Sequence, residues 1–176
     1  MKIPASRDCI HWRSIMLILG LVVTGLIVII LSHRYCGHID MESQFNIDAD
    51  AIEFALESYR IAYDCLPIVD ENRDVQNNKD IMTILQGNLD KNPLLEHNPR
   101  QIRFLHLPST RCADDGTFFD PWKQPYHIAF DIRDNGILHL GPSVMTNGTV
   151  AIWSAGPNRI DEFGRGDDLI RIWTCK

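Results

Sequence analysis

The chain has 176 residues, 45% of them apolar, which suits one modest domain with a buried core and an appendage. Its formal charge of -6 at pH 7 and pI near 5.6 argue against a nucleic-acid surface, and no stretch interleaves Lys and Arg with aromatics. Five cysteines at wide spacings, Cys9, Cys36, Cys65, Cys112 and Cys175, form no CxxC pair, so neither a zinc ribbon nor a dithiol redox motif is indicated.

In chain order the first signal is the uncharged apolar run 15–31, close to the minimum of about 17 residues that spans a bilayer. Ser32, His33, Arg34 and Tyr35 follow it where a signal peptide would carry small residues, so the run reads as an uncleaved anchor. Lys2, Arg7 and Arg13 precede it and only Arg34 lies close behind, a bias that puts the N-terminus in the cytoplasm. The expected organisation is a cytoplasmic segment 1–14, a single transmembrane anchor 15–32 and an extracytoplasmic domain 33–176. On that side of the membrane Cys65 with Cys112 or Cys175 is a candidate disulfide, its pairing left open, and buried free thiols are the alternative.

Phe45, Ala49, Ile52, Leu56, Tyr59 and Tyr63 recur at steps of three or four and share one helical face. Asp48, Asp50, Glu53, Glu57 and Arg60 fall largely on the others, and Leu66-Pro67 is the expected stop. Residues 69–79 read as a polar surface loop, after which Asp80 caps a short helix over 81–85 that stops at Gly87-Asn88. Asn92-Pro93 and Asn98-Pro99 punctuate a further loop. Within 119–130 Asp120-Pro121 and Gln124-Pro125 frame a turn, and Tyr126, Ile128 and Phe130 alternate as in a half-buried strand. Asp134-Asn135-Gly136 and Asn147-Gly148 read as hairpin turns. The fold class predicted is α+β: a transmembrane helix continuing into an amphipathic stem helix, packed on a small antiparallel sheet of three or four strands.

The most chemically pointed stretch is 151–173. Apolar pieces enclose Gly156, Pro157, Gly164 and Gly166, with Asn158, Asp161, Glu162, Asp167 and Asp168 between them. So many acceptors on one short loop must stay in water, meet a basic partner or bind a hard cation.

Ile52 to Tyr59 leading to Leu66-Pro67, Asn98-Pro99-Arg100 with Ile102, Phe104 and Leu105, Asp120-Pro121-Trp122 with Pro125-Tyr126, and Ser154-Ala155-Gly156-Pro157 followed by Gly166-Asp167-Asp168 together resemble the major pseudopilins of type II secretion systems. The resemblance covers most of the extracytoplasmic part. It implies a pilin-like fold, a single-pass protein of the inner (cytoplasmic) membrane with its C-terminal domain in the periplasm, and as partners other pseudopilin or secretion-apparatus subunits. It also implies a structural calcium ion in the last loop, with ligands among the Ala155 carbonyl, Asn158, Asp161, Asp167 and Asp168. Asn158 stands where an aspartate is more usual, Arg159 where a glycine is common, and Asp161-Glu162 lengthens the loop. The prepilin leader glycine and the glutamate a few residues into the helix have no counterpart around Ser14 to Gly20, so the N-terminal segment is expected to be kept.

No HExxH, phosphate-cradling glycine loop or glycine-flanked nucleophile is present, and Ser143 in GPSVM is no nucleophile elbow. The expectation is a non-enzymatic, membrane-anchored pseudopilin-like subunit or accessory protein of a type II secretion or type IV pilus-like apparatus, with no small-molecule substrate. The alternative is a free-standing membrane-tethered binding domain that shares the fold without entering a filament.

Overall fold

The computed structural model describes residues 8–87 and 93–175, with side chains for 20–29, 41–87 and 94–175 among them. The chain divides into two compact units, Met1–Asp40 and Met41–Lys176. Helix α1 is assigned over Asp8–Tyr63. In the first unit, residues 20–29 are uncharged and all exposed, and their one polar side chain, Thr24, donates back to the carbonyls of Gly20 and Leu21 at 3.0 Å each. Among the described residues no helix is long and apolar enough to cross a membrane. Of the expected anchor at 15–32, residues 15–19 and 30–32 lie outside those whose side chains are described.

In the second unit α1 delivers the predicted stripe to the core: Phe45, Ala49, Ile52, Leu56 and Tyr59 are buried and Tyr63 is half-buried against them. The helix stops at Tyr63, before the expected Leu66-Pro67. Asp64 takes a left-handed φ of 57° and returns its N–H to the Arg60 carbonyl at 2.7 Å, the αL cap that aspartate tolerates better than most residues.

Four strands form one antiparallel sheet: β1 (Val75–Gln76), β2 (His127–Phe130), β5 (Val150–Ser154) and β6 (Leu169–Trp173), in the order β1-β2-β5-β6. The remaining two, β3 (Ile137–Gly141) and β4 (Val144–Asn147), form a separate hairpin. Strand β5 is buried at every position because its faces meet different partners. Val150 and Ile152 join the α1 core, while Ala151 and Trp153 pack with Leu138 and Leu140 of the hairpin. Strand β2 does the same with Ile128 and Phe130 on one side and Ala129 on the other, so it is more than half-buried. The α+β class is as expected, with a helix layer and a hairpin on opposite faces of the sheet.

The expected hairpin turns play another part. Asp134 and Gly136 do take positive φ, 50° and 75°, but β2 cannot pair with β3 because β1 and β5 already occupy both its edges. Asn147-Gly148 likewise carries the chain from the hairpin back to the sheet, and the hairpin itself closes around Pro142-Ser143, where Gly141 opposes Val144.

Helix α2 (Asn78–Gln86) is capped three residues before the expected cap: the Asn77 side chain accepts the Lys79 N–H at 3.1 Å, and Asp80 sits in the first turn. Its end is where the sequence put it. Gly87 adopts φ 68° and its N–H returns to the Ile84 carbonyl, and a Cβ there would lie 2.6 Å from the Ile102 oxygen. The supposed surface loop 69–79 contains β1 and the buried Gln76, whose amide binds the N–H groups of Val69 and Asp70 and the carbonyls of Asp70 and Arg73. Asn98 is fully buried rather than loop punctuation. Its amide donates to Ile84 and Ile102 at 2.8 Å each and accepts the Ile102 N–H and the Tyr63 hydroxyl, which fills all four of its hydrogen-bonding positions and ties α1, α2 and the following segment together.

Candidate functional site

The loop between β5 and β6 is set on a buried polar joint. Ser154, the last residue of β5, is fully buried; its hydroxyl donates to the Asp120 carboxylate and accepts the Gly156 N–H at 3.1 Å. The other Asp120 oxygen accepts the Gln124 N–H at 2.7 Å and so closes the Asp120-Pro121-Trp122 turn. The DPW turn and the start of the acidic loop are therefore fastened to each other. At the loop's neck Gly156 has φ 62°, and a Cβ on it would lie 2.2 Å from the Asp167 carbonyl oxygen, so only glycine lets the ends approach this closely.

Each acidic side chain has its own surroundings. Asp161 points back to the sheet: its Oδ1 accepts the Trp153 indole N–H and the Phe163 N–H at 2.9 Å each, and its Oδ2 lies 3.8 Å from Nδ1 of His127, whose ring stacks on Trp153. Asp167 accepts the backbone and amide N–H groups of Asn158, while Asn158 Oδ1 takes the Ile160 N–H at 2.6 Å. Asp168, only 9% exposed, accepts the N–H groups of Glu162 and Gly164 on Oδ2 at 2.9 Å each, and its Oδ1 is buried with no hydrogen-bond partner. Burial pushes the Asp168 carboxyl above the ordinary carboxylate range; the two backbone donors pull it down, and the charges of Asp161 and Glu162 push it further up. Ala155 is buried at the loop's base. Arg159 and Phe163 hold positive φ of 62° and 60°, a strained backbone of the kind that functional loops store.

One point of the donor set would suit a cation. A buried carboxylate oxygen with no donor, beside two further carboxylates, is the group a hard cation would neutralise. Among the described residues, however, no three His, Cys, Asp or Glu side chains converge closely enough to hold a metal, and Asp161 is committed to Trp153 and His127. Cys65, Cys112 and Cys175, the disulfide candidates, are free thiols, the first exposed and the others half-buried. Burial raises the pKa of both Cys112 and Cys175, so each stays a protonated, weakly nucleophilic thiol.

Two buried ionic joints escaped the sequence reading. Asp48, expected on an outer face of α1, is buried and saturated: Oδ1 accepts the Gln44 amide at 2.9 Å, and Oδ2 accepts the Tyr126 hydroxyl at 2.6 Å and Arg111 Nη2 at 2.5 Å. Burial and the Asp48 charge together raise the Tyr126 pKa far beyond the physiological range. Asp74, the residue before β1, receives Arg133 Nη1 on both oxygens, at 2.7 and 3.0 Å, and the His139 N–H at 2.8 Å, joining the start of β1 to the turn after β2 and to the hairpin. The one usable signal for the first joint was Asp48 lying next to Ala49 on the core stripe; Asp74 had none. A cavity of about 760 Å³ lies between α2 and residues 112–116. Compared with known proteins, the chain matches no family model, no curated protein and no solved structure.

Proposed function

We propose that the chain is a non-enzymatic, membrane-anchored, pseudopilin-like subunit or accessory protein of a type II secretion or type IV pilus-like apparatus, held in the inner membrane by residues 15–32 with residues 33–176 in the periplasm. The observation that carries the reading is the Ser154 to Asp120 joint. It fastens the acidic loop to the DPW turn, and those are two of the stretches on which the family resemblance rests. A buried polar contact that fixes a surface loop in one shape supports a role for that loop in contacting another subunit.

A structural calcium ion belongs to the same reading. It would be held by Asp168, with Asp167, Asn158 and the Ala155 carbonyl, once Asn158 and Asp167 give up their bond to each other. Asp161 would stand behind it, fixed by Trp153 and His127. When bound, the ion would supply charge neutralisation and loop rigidity. Calcium added to the full chain in detergent is expected to raise the melting temperature, and the joint change Asp167→Ala and Asp168→Ala to abolish the rise; no shift in the parent chain removes the ion from the proposal. Intact-mass analysis of the membrane-extracted protein, together with cofractionation with filament components, tests the larger claim. An unprocessed, unmethylated N-terminus without filament association rejects the subunit reading in favour of a tethered binding domain.

A further inference from the structure

The two edges of the four-stranded sheet are built differently. At one edge β1 is two residues long, too short to template another strand. At the other edge β6 is five residues long and pairs with β5 at every position without a register shift. Among the described residues no backbone group pairs with the outer side of β6. Alternate residues of an antiparallel strand point their N–H and C=O groups away from the neighbour, so this edge keeps a row of open donors and acceptors.

Ordinary edges carry proline, a bulge or an uncompensated charge that keeps a second strand from docking. The sequence of β6, Leu169-Ile170-Arg171-Ile172-Trp173, has none of these. Its one charge is compensated within the molecule: Arg171 Nη2 lies 2.8 Å from Asp50 Oδ1 and Nη1 lies 3.9 Å from Glu53 Oε2, both on α1. All five side chains of β6 are half-buried, whereas all five of β5, which has a strand on each side, are buried.

The order of residues in β6 selects the strand that fits. Apolar, Ile, Arg, Ile, apolar reads nearly the same in both directions about Arg171. Leu169 and Trp173 lie on the face that meets α1, and Ile170 and Ile172 on the face that meets the hairpin. An antiparallel pairing of two copies centred on Arg171 therefore sets Leu169 beside Trp173 of the second copy and Ile170 beside its Ile172. Apolar meets apolar on both faces, and the helix layer of one copy continues into that of the other. A slip of one residue would set helix-facing side chains against hairpin-facing ones. The two Arg171 side chains then oppose each other, an arrangement that repels across strands unless compensated, and each brings its own Asp50 and Glu53.

We propose that the outer edge of β6 pairs antiparallel with β6 of a second copy of this chain, in the register centred on Arg171, to give a two-fold symmetric dimer with one sheet continuous across both copies. The interface is small, one strand from each copy, so the dimer is weak and reversible. It depends on neither the acidic loop nor the filament reading.

The test is density-matched sedimentation equilibrium of the full chain in detergent, joined to amide exchange at rising protein concentration. A concentration-dependent dimer is expected, with exchange slowed at alternate residues of 169–173 and unchanged in β1. In a mixture of isotope-labelled and unlabelled chains, filtered nuclear Overhauser contacts should join Ile170 of one copy to Ile172 of the other. Asp50→Asn with Glu53→Gln removes only surface ion pairs and leaves the strand untouched, yet should weaken the dimer by up to about fivefold, because the two guanidinium groups then face each other uncompensated. Adding Arg171→Gln should restore it. A monomer at every concentration, which would leave the edge to some other chain, overturns the proposal. So does a dimer that leaves exchange in β6 unchanged, as one made through residues 15–32 would, or one whose contacts join β6 to β5 of the second copy, as strand exchange would. Equal dimer affinity in the parent and the Asp50→Asn, Glu53→Gln variant overturns the register.

Discussion

The two ends of strand β5 lead into regions held together by different physics. At Val150 and Ile152 the strand enters a core of aliphatic and aromatic side chains from α1, α2 and β2, most of them fully buried. Past Ser154 it enters a loop held by carboxylates gripping backbone N–H groups, with one oxygen left over. Apolar burial responds weakly to pH and to ions, whereas a loop of half-compensated charges responds to both. The domain thus joins a part whose shape is fixed by composition to a part whose shape is set by what surrounds it. Trp153 is the hinge between them: its ring is buried in the sheet and its indole N–H holds Asp161.

Breaking that hinge should have the largest effect. Trp153→Ala removes a fully buried ring and the Asp161 bond together and is expected to cost about 3–5 kcal/mol in chemical denaturation. Trp153→Phe keeps most of the burial and deletes the indole N–H; a loss of about 1–2 kcal/mol, accompanied by faster amide exchange confined to residues 160–164, would show that the loop reads its shape from the sheet through this one bond. If exchange quickens equally in α1, the two regions are not separable in the way argued. Next in size is Asn98→Ala, which leaves two carbonyls and an N–H inside the core and should cost roughly 2–3 kcal/mol without altering the loop's response to calcium. Gly156→Ala should act in the opposite sense, loosening the neck of the loop and weakening the calcium-dependent rise in melting temperature more than it changes the core, since its Cβ would collide with the Asp167 carbonyl.

How far this contrast could be read in advance followed from how local each signal was. The core stripe of α1 was legible because Phe45, Ala49, Ile52, Leu56 and Tyr59 obey a periodicity that any helix imposes, and Gly87 because only a residue that accepts φ 68° without strain can end α2 against Ile102. The acidic loop was legible as a collection of acceptors on glycine-punctuated backbone. Its internal assignment was not, because whether Asp161 turns toward a cation or toward Trp153 is decided by the pairing of β2 with β5, which brings His127 beside Trp153. Asn98 was misread for a related reason. An Asn before a Pro looks like a turn, yet its amide here replaces missing backbone partners from α2, a contact made across the fold. The turns at Asp134-Asn135-Gly136 and Asn147-Gly148 were found as turns and misassigned as hairpins, since a turn's residues fix its backbone and say nothing about which strand edges are still free.

The smallest predicted effect is the sharpest probe of the loop. Because the folded state raises the Asp168 pKa above its unfolded value, the native protein binds that proton more tightly than the unfolded chain does, and the stability this group contributes is greatest below the unfolded carboxylate range and falls as pH rises through the raised value. In calcium-free buffer the contribution of Asp168 itself should therefore fall from acid toward neutral pH, opposite in sign to that of an aspartate held by a salt bridge. Asp168→Asn should remove that slope. The amide can keep an oxygen toward the N–H groups of Glu162 and Gly164 and places donors where Oδ1 now sits bare beside Asp161 and Glu162, so at neutral pH without calcium the variant should be as stable as the parent or up to about 1 kcal/mol more stable. With calcium the order should reverse, because the parent gains from the ion and the variant does not. A variant that is less stable at neutral pH in both conditions would mean that the buried oxygen is already satisfied by water, and that the loop is a solvated turn with no site for a cation.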